Sequence, residues 1–139
     1  MSEINISIKS VNDNDIEFLY EMLKERESYQ NISHQKMPTF KKHTSFVKSK
    51  PYSKWYIVYL EKNKIGSIYL SKNNEIGIFL KKAYNKKGFG SLALKLLFNK
   101  NPRKKYYANI NPKNSKSIKF FKENGFNLLQ QTYVITKKS

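Results

Sequence analysis

The chain has 139 residues and weighs 16.5 kDa, the size of one ordinary domain. With 39% hydrophobic and 14% aromatic residues it can bury a core. It contains no cysteine, which excludes disulfide frameworks, thiolate zinc sites, iron–sulfur clusters and a cysteine nucleophile. The two histidines, His34 and His43, lie nine apart, a poor start for a metal site, and none is expected. The longest apolar runs, Trp55 to Leu60 and Ile76 to Leu80, fall far below the roughly 18–20 residues needed to cross a bilayer. Met1 to Asn5 lacks a basic region and an apolar stretch, so no secretory signal is expected. The expectation is a single cytoplasmic domain over residues 1–139.

Lys plus Arg number 27 against 10 acids, a formal net charge of +17. The imbalance is uneven: seven of the ten acids lie in residues 1–35, and only Glu61, Glu75 and Glu123 lie beyond. A field of that sign favours polyanionic partners such as nucleic acid or phosphorylated cofactors. However, only Arg26 and Arg103 are arginines, and the forks that read bases and grip phosphates prefer Arg. The excess of Lys, Asn and Ile fits codon bias better than a designed nucleic-acid surface, and nucleic-acid binding is disfavoured.

In chain order, Ile4 to Lys9 alternates apolar and polar residues as a half-buried strand does. Asn12 to Asp15 offers a helix cap with acids in the first turn, and Ile16, Leu19, Tyr20 and Leu23 follow at helical spacing to about Arg26. Residues 28–42 read as a loop, and His43 to Lys48 as a short helix stopped by Pro51. Trp55–Leu60, Ile65–Leu70 and Glu75–Leu80 are β-prone runs separated by polar turns, predicting an antiparallel meander. A helix follows over Ser91 to about Lys100, then a strand over Tyr106–Ile110 ended by Asn111-Pro112. Asn114 caps a helix to Asn124 that Gly125 closes in the left-handed conformation. Residues 127–136 are predicted as a last strand. The order β α (α) β β β α β α β describes an α+β fold, a mixed and mostly antiparallel sheet flanked by helices.

The most informative stretch is Lys86-Lys87-Gly88-Phe89-Gly90, a basic turn between a strand and a helix. Amides at a helix N-terminus are unpaired and sit at the positive end of the dipole, so they bind phosphate. Glycines at 88 and 90 would let the main chain approach an anion closely, although a turn that merely needs glycine reads equally well. The spacing is neither G-x-G-x-x-G nor a P-loop, which disfavours dinucleotide and triphosphate folds. Asn111 to Phe126 again places polar caps at a strand end and a helix start. Two such neighbouring junctions form the mouth of a crevice.

Asn85-Lys86-Lys87-Gly88-Phe89-Gly90 resembles the pyrophosphate loop of GNAT-type N-acetyltransferases. Asn111 to Phe126 resembles that family's final motif, in which an Asn precedes a helix ending in Gly-Phe. With the element order, the resemblance spans roughly residues 55–136. It implies acetyl-CoA as acetyl donor. The amides of Lys86, Lys87, Gly88, Phe89, Gly90 and Ser91 would hold the pyrophosphate. The main chain of Ile78 and Leu80 would pair with pantetheine and help polarise the thioester carbonyl, Phe79 between them would belong to the cofactor site, Asn111 and Asn114 would contact the pantetheine arm, and Phe121 would line the thiol end. Asn85 departs from the family's Gln or Arg. Phe120-Phe121 stands where many relatives carry a Tyr suited to protonating the leaving thiolate.

The chemistry needs an amine deprotonated near the thioester and donors for the developing oxyanion. Glu75, at the start of the strand before the loop, is the best-placed carboxylate for a base, acting through water; a solvated strand-end Glu reads equally well. Tyr84, Tyr69 and Tyr133 are candidate thiolate acids, with packing or surface roles as the alternative. His34 and His43 fall in the segment that walls the acceptor site in such enzymes. Arg26, His43 and the aromatics around Trp55 loosely resemble members that acetylate nucleotide-linked amino sugars. Arg26 and His43 are therefore the expected acceptor contacts, with a small-molecule primary amine as partner. A protein acetyltransferase and a non-catalytic, nucleic-acid-binding module are the alternatives. No membrane partner is expected, and exposed aromatics such as Tyr59 and Tyr133 are compatible with a monomer or a homodimer.

Overall fold

The computed structural model describes residues 4–29 and 37–137; His34 lies outside them. Strands β1 (Ile6–Ser10), β2 (Lys54–Leu60), β3 (Asn63–Leu70) and β4 (Ile76–Leu80) form one antiparallel sheet in the order 1-2-3-4. The expected meander is present. Its first turn is tighter than the sequence suggested, with Glu61 taking a left-handed φ of 55° and Leu60 pairing with Asn63. Val58 faces Gly66 while Tyr59 faces Lys64, so Ile65 bulges from the ladder. The Ile65 carbonyl accepts the Lys81 N–H at 2.8 Å.

Alternation along β2 divides the molecule into layers. Tyr56 and Val58 join Ile8, Ile68 and Leu70 beneath helix α3 (Phe89–Lys100), whose Ala93, Leu94 and Leu97 are fully buried. Ile57 points to the other face, with Ile16 and Leu19 of α1 (Ile16–Tyr29) and Val47 of α2 (Phe40–Lys48). Before α1, the Asn12 side chain accepts the Asn14 N–H at 2.8 Å. Asp15 Oδ2 accepts the Asn12 N–H at 2.9 Å, closing a reciprocal cap. The other Asp15 oxygen meets Lys64 Nζ at 2.7 Å, which fastens the start of α1 to β3. Helix α4 (Ser115–Glu123) begins at Asn114, whose side chain accepts the Ser117 N–H at 3.1 Å. Gly125 follows it at φ 90°.

Two expected strands do not form, so the observed order is β α α β β β α α. Residues 106–110 make one parallel bridge, Glu75 opposite Tyr107. The Ile76 N–H reaches the Tyr107 carbonyl at 2.7 Å, and the Tyr107 N–H reaches Asn74 at 2.9 Å. A ladder requires neighbours about 4.8 Å apart. Beyond Tyr107 the two chains part, and Ile78 and Phe79 face Ile110 and Asn111 across a cavity instead. Residues 127–136 include the β-prone run Tyr133-Val134-Ile135 but pair with nothing among the described residues. β-prone composition permits a strand; only a neighbouring edge makes one.

Candidate active site

A cavity of about 280 Å³ opens where β4 and residues 109–111 separate. Leu19, Met22 and Arg26 of α1 and His43 and Phe46 of α2 form one side of it, and Asn114, Ser117 and Phe121 the other. Its aromatic wall is built by stacking. The Tyr52 and Tyr69 rings lie parallel at 3.8 Å, and Trp55 meets Tyr52 edge-on at 4.9 Å. Phe46 meets Trp55 edge-on at 6.1 Å. Gly77, opposite Tyr69, leaves the space this stack occupies: a Cβ there would lie 2.1 Å from the Tyr69 ring. Burial pushes the Tyr52 phenol up to about 12, with the neighbouring Tyr69 adding to the shift, so it remains an O–H donor at neutral pH. Trp55 Nε1 is buried with no hydrogen-bond partner among the described residues.

The basic glycine turn lies past the other end of β4, outside the lining of this cavity. Lys86 and Gly88 both take left-handed conformations, at φ 63° and 81°, and Gly88 is the N-cap of α3. The first backbone bond of the helix is from Leu92 N–H to the Gly88 carbonyl at 3.3 Å. The amides of Phe89, Gly90 and Ser91 therefore precede the helical ladder, available to an anion. Gly88 is required by its φ alone, since a Cβ there would meet nothing within 4 Å. Gly90 has a different reason from the expected close approach to a ligand: it is buried, and a Cβ would lie 3.0 Å from the Phe120 ring. It is the contact point of α3 with α4, where Asn124 Nδ2 also donates to Ser91 Oγ at 3.1 Å.

Along β4 the amides alternate in direction. The Ile76 N–H points to the Tyr107 side, so those of Ile78 and Leu80 point the same way, into the gap. Phe79 contributes its ring to the cavity, and the Arg26 guanidinium sits 5.8 Å from the centre of that ring. Asn111, Asn114 and Phe121 all line the cavity. Asn111 Oδ1 accepts the Lys113 N–H at 2.9 Å and Asn114 Oδ1 caps α4, so the side-chain carbonyls hold local turns. The Phe121 ring is 6% exposed, part of the core as much as of the cavity.

Glu75 lines the cavity at the point of parting. Its Oε1 accepts from Ser71 Oγ at 3.2 Å and its Oε2 accepts from Asn109 Nδ2. The carboxylate thus spans the two chains that separate just beyond it. Among the tyrosines, Tyr69 lines the cavity. Tyr84 and Tyr133 do not: Tyr84 packs against Phe89 at 6.4 Å, and Tyr133 is 87% exposed beyond α4. A proton donor must come within about 3 Å of the atom it serves, and of the three candidates Tyr69 is the one that lines the cavity.

Arg26 faces the cavity as expected. His43 reaches its wall but is 3% exposed, with Nε2 at 3.1 Å from the Ile16 carbonyl. A carbonyl only accepts, so Nε2 carries the proton. The imidazole is a buried joint between α2 and α1, packed on Tyr20 at 5.2 Å, and little of it is presented to the cavity. Burial lowers its pKa below the usual 6.5, partly offset by the Ile16 carbonyl. A base whose folded-state pKa is depressed contributes stability above its unfolded pKa and loses it as pH falls through 6.5 toward the folded value. The melting temperature of the wild type should therefore fall more steeply between pH 7 and pH 5 than that of His43→Gln, which keeps a donor and does not titrate. Parallel curves would show that the imidazole is not buried in solution.

Sequence reading passed over Tyr52 and Asn109. Tyr52 sits between Pro51 and Ser53, where no periodicity marks it, and Asn109 is important only through its contact with Glu75, which is distant in sequence. Among the described residues no cluster of metal-ligating side chains occurs, and no helix is long and apolar enough to cross a membrane.

A family model described as acetyltransferase (GNAT) domain matches residues 5–127. A crystal structure of a domain from Methanocaldococcus jannaschii DSM 2661 is similar at 30% identity, with 94% of this chain and 93% of that one covered and a TM-score of 0.77. The ribosomal-protein alpha-N-acetyltransferase RimL, solved with coenzyme A, is similar at 15% identity, with 93% and 83% covered and a TM-score of 0.74. An aminoglycoside acetyltransferase from an uncultured soil metagenomic sample, in complex with trehalose, is similar at 10% identity, with 96% of each chain covered and a TM-score of 0.65. No match was found among curated proteins.

Proposed function

The chain belongs to the GNAT acetyltransferase family. From that premise we propose that it transfers an acetyl group from acetyl-CoA to a primary amine on a small molecule, a nucleotide-linked amino sugar first among them. The amine attacks directly in a ternary complex, and the enzyme works as a single cytoplasmic domain of residues 1–139. The observation that carries the reading is the parting of β4 from residues 109–111 after one bridge. It leaves the Ile78 and Leu80 amides directed into a gap that runs between the free amides of α3 and an aromatic-lined cavity.

The donor fits that path. Phe89, Gly90 and Ser91 offer unpaired amides to a diphosphate, with Lys86 and Lys87 beside them. The β4 edge offers hydrogen bonds to an extended amide-containing arm in the manner of an added strand. Bound there, acetyl-CoA supplies the activated acetyl group. In this reading Glu75 takes the proton of the attacking amine through a water, and a β4 amide donates to the oxygen where negative charge develops. Tyr69 returns a proton to the leaving sulfur. The Phe46, Tyr52 and Trp55 rings present flat faces that suit the C–H face of a sugar. Arg26 supplies charge for a phosphate.

Calorimetry of acetyl-CoA binding tests the premise, with 3′-dephospho-CoA as a control for bare charge attraction. One-to-one binding that survives raised salt is expected; its absence would overturn the donor site. Transfer assays then compare nucleotide-linked amino sugars with peptides. The likeness to RimL supports a second reading, acetylation of a protein N-terminal amine, which transfer to peptides alone would select.

A further inference from the structure

Lysine dominates the positive charge of this chain: of its 27 basic residues, only Arg26 and Arg103 are arginines. Yet no lysine lines the cavity among the described residues, whereas Arg26 does. A bias toward lysine explains the surface and leaves this one guanidinium as an exception to it. Guanidinium is the cation whose planar fork grips a carboxylate or phosphate with two parallel hydrogen bonds.

Its own chain leaves that cation unanswered. Arg26 is half-buried in the last turn of α1 and meets no carboxylate among the described residues. It lies 5.8 Å from the centre of the Phe79 ring, which steadies one face of the plane and leaves the edge donors for another partner. The same charge reaches the Tyr52 phenol and opposes the upward shift that burial causes there, so the group faces the aromatic wall. Ser67, which pairs with Phe79 across the ladder, adds a hydroxyl to this end of the cavity. Glu75 is the carboxylate of the lining, but its two oxygens are taken by Ser71 and Asn109. It also stands four residues before Phe79 on extended chain, a separation of about 13 Å by strand rise.

We propose that the Arg26 end of the cavity reads a negative charge on the acceptor. The chain then selects primary amines that carry a carboxylate or phosphate on the order of 10 Å from the nitrogen. This rests on the reading of the cavity as the acceptor site, and it holds whether the acceptor is a sugar or a peptide. With the amine at Glu75, an anion at that distance meets the guanidinium fork and the Ser67 hydroxyl. A second ammonium in the same place meets a half-buried like charge, where water screens repulsion poorly. Polyamines are therefore rejected by the group that holds the anion.

Matched linear amines test this on the full chain. Backbone NMR titrations should show aminooctanoate binding at least ~10-fold more tightly than octylamine, with octanediamine the weakest. Arg26→Gln should bring the first two within ~2-fold of each other. Arg103→Gln makes the same change of net charge on the exposed loop after α3. It should keep the wild-type preference, which separates a site from the general field of +17. Aminohexyl phosphate, of similar span, distinguishes the two anions: tighter binding than aminooctanoate assigns phosphate, and weaker binding assigns carboxylate. Equal affinity of wild type for aminooctanoate and octylamine, no measurable binding of aminooctanoate, or a preference that survives Arg26→Gln would overturn the proposal. If Arg26→Gln does not fold, shorter and longer amino carboxylates decide the matter on wild type. An advantage over the alkylamine of equal length that peaks near aminooctanoate supports a fixed span, and a flat series overturns it. Transfer assays with acetyl-CoA keep this apart from the proposed reaction. Selective binding without transfer refutes acetyl transfer and leaves anion selection standing, whereas transfer at equal rates to all three amines does the opposite.

Discussion

Gly66→Val is expected to lower the stability of the fold more than any other single change to a glycine. A Cβ on Gly66 would lie 2.3 Å from the Phe79 carbonyl oxygen, 2.6 Å from Leu80 Cδ2 and 3.0 Å from Leu80 Cα. Two of these atoms are main chain and cannot turn aside, so β4 must move away from β3. Overpacking of this kind costs about 1–3 kcal/mol when side chains can adjust, and more when the backbone must shift. A loss of about 3 kcal/mol or more is expected, read as a lower denaturant midpoint at unchanged slope. A stability within about 1 kcal/mol of wild type (about one-third of that loss) would show that β3 and β4 separate easily at Gly66. Gly77→Ala provides the contrast. Its Cβ would strike the far end of the Tyr69 ring, which can swing. It should keep most of the stability and instead break the stack of Tyr69 on Tyr52.

Glu75→Gln is expected to reduce turnover by about 10²-fold or more, the usual contribution of a positioned base, while leaving acetyl-CoA affinity within about twofold of wild type. The glutamine has the same shape. Its oxygen can accept from Ser71 Oγ, and the Asn109 amide can turn to face its nitrogen, so the clasp between the parting chains survives. Only the capacity to take a proton is removed. Turnover close to wild type would assign Glu75 to the clasp alone, and Glu75→Ala would then be the damaging change, since it removes both bonds. Kinetics beside calorimetry separates the two roles, because a collapsed gap loses the donor and a missing base does not.

Local signals in the sequence carried the elements whose causes are local. Asn12 and Asn114 cap helices as their spacing implies, Gly125 turns left-handed after α4, and the three β-prone runs pair in order. The junction at Gly88 was legible for the same reason: a left-handed N-cap leading into a helix is specified within a few residues. Pairing across distance was not. Residues 106–110 and 127–136 have strand composition, but whether a strand forms depends on a neighbour that no window of sequence contains. His43 is a similar case. A lone histidine on a short helix looks like a reactive group, and its burial against the Ile16 carbonyl depends on how α1 packs 27 residues away. At Gly90 the sequence marks a missing side chain but not the Phe120 ring that packs there, since that contact is distant in sequence.

The join of α3 to α4 bears on the order of events in a catalytic cycle. Gly90 lets the Phe120 ring close on the first turn of α3, and Asn124 holds Ser91 at the same level. The turn proposed to hold a diphosphate and the helix that carries Ser117 and Phe121 into the cavity are thereby joined. A ligand that stills the first also sets the second before any acceptor arrives. The expected kinetics are sequential and ordered, with the nucleotide entering first and the bare thiol form leaving last.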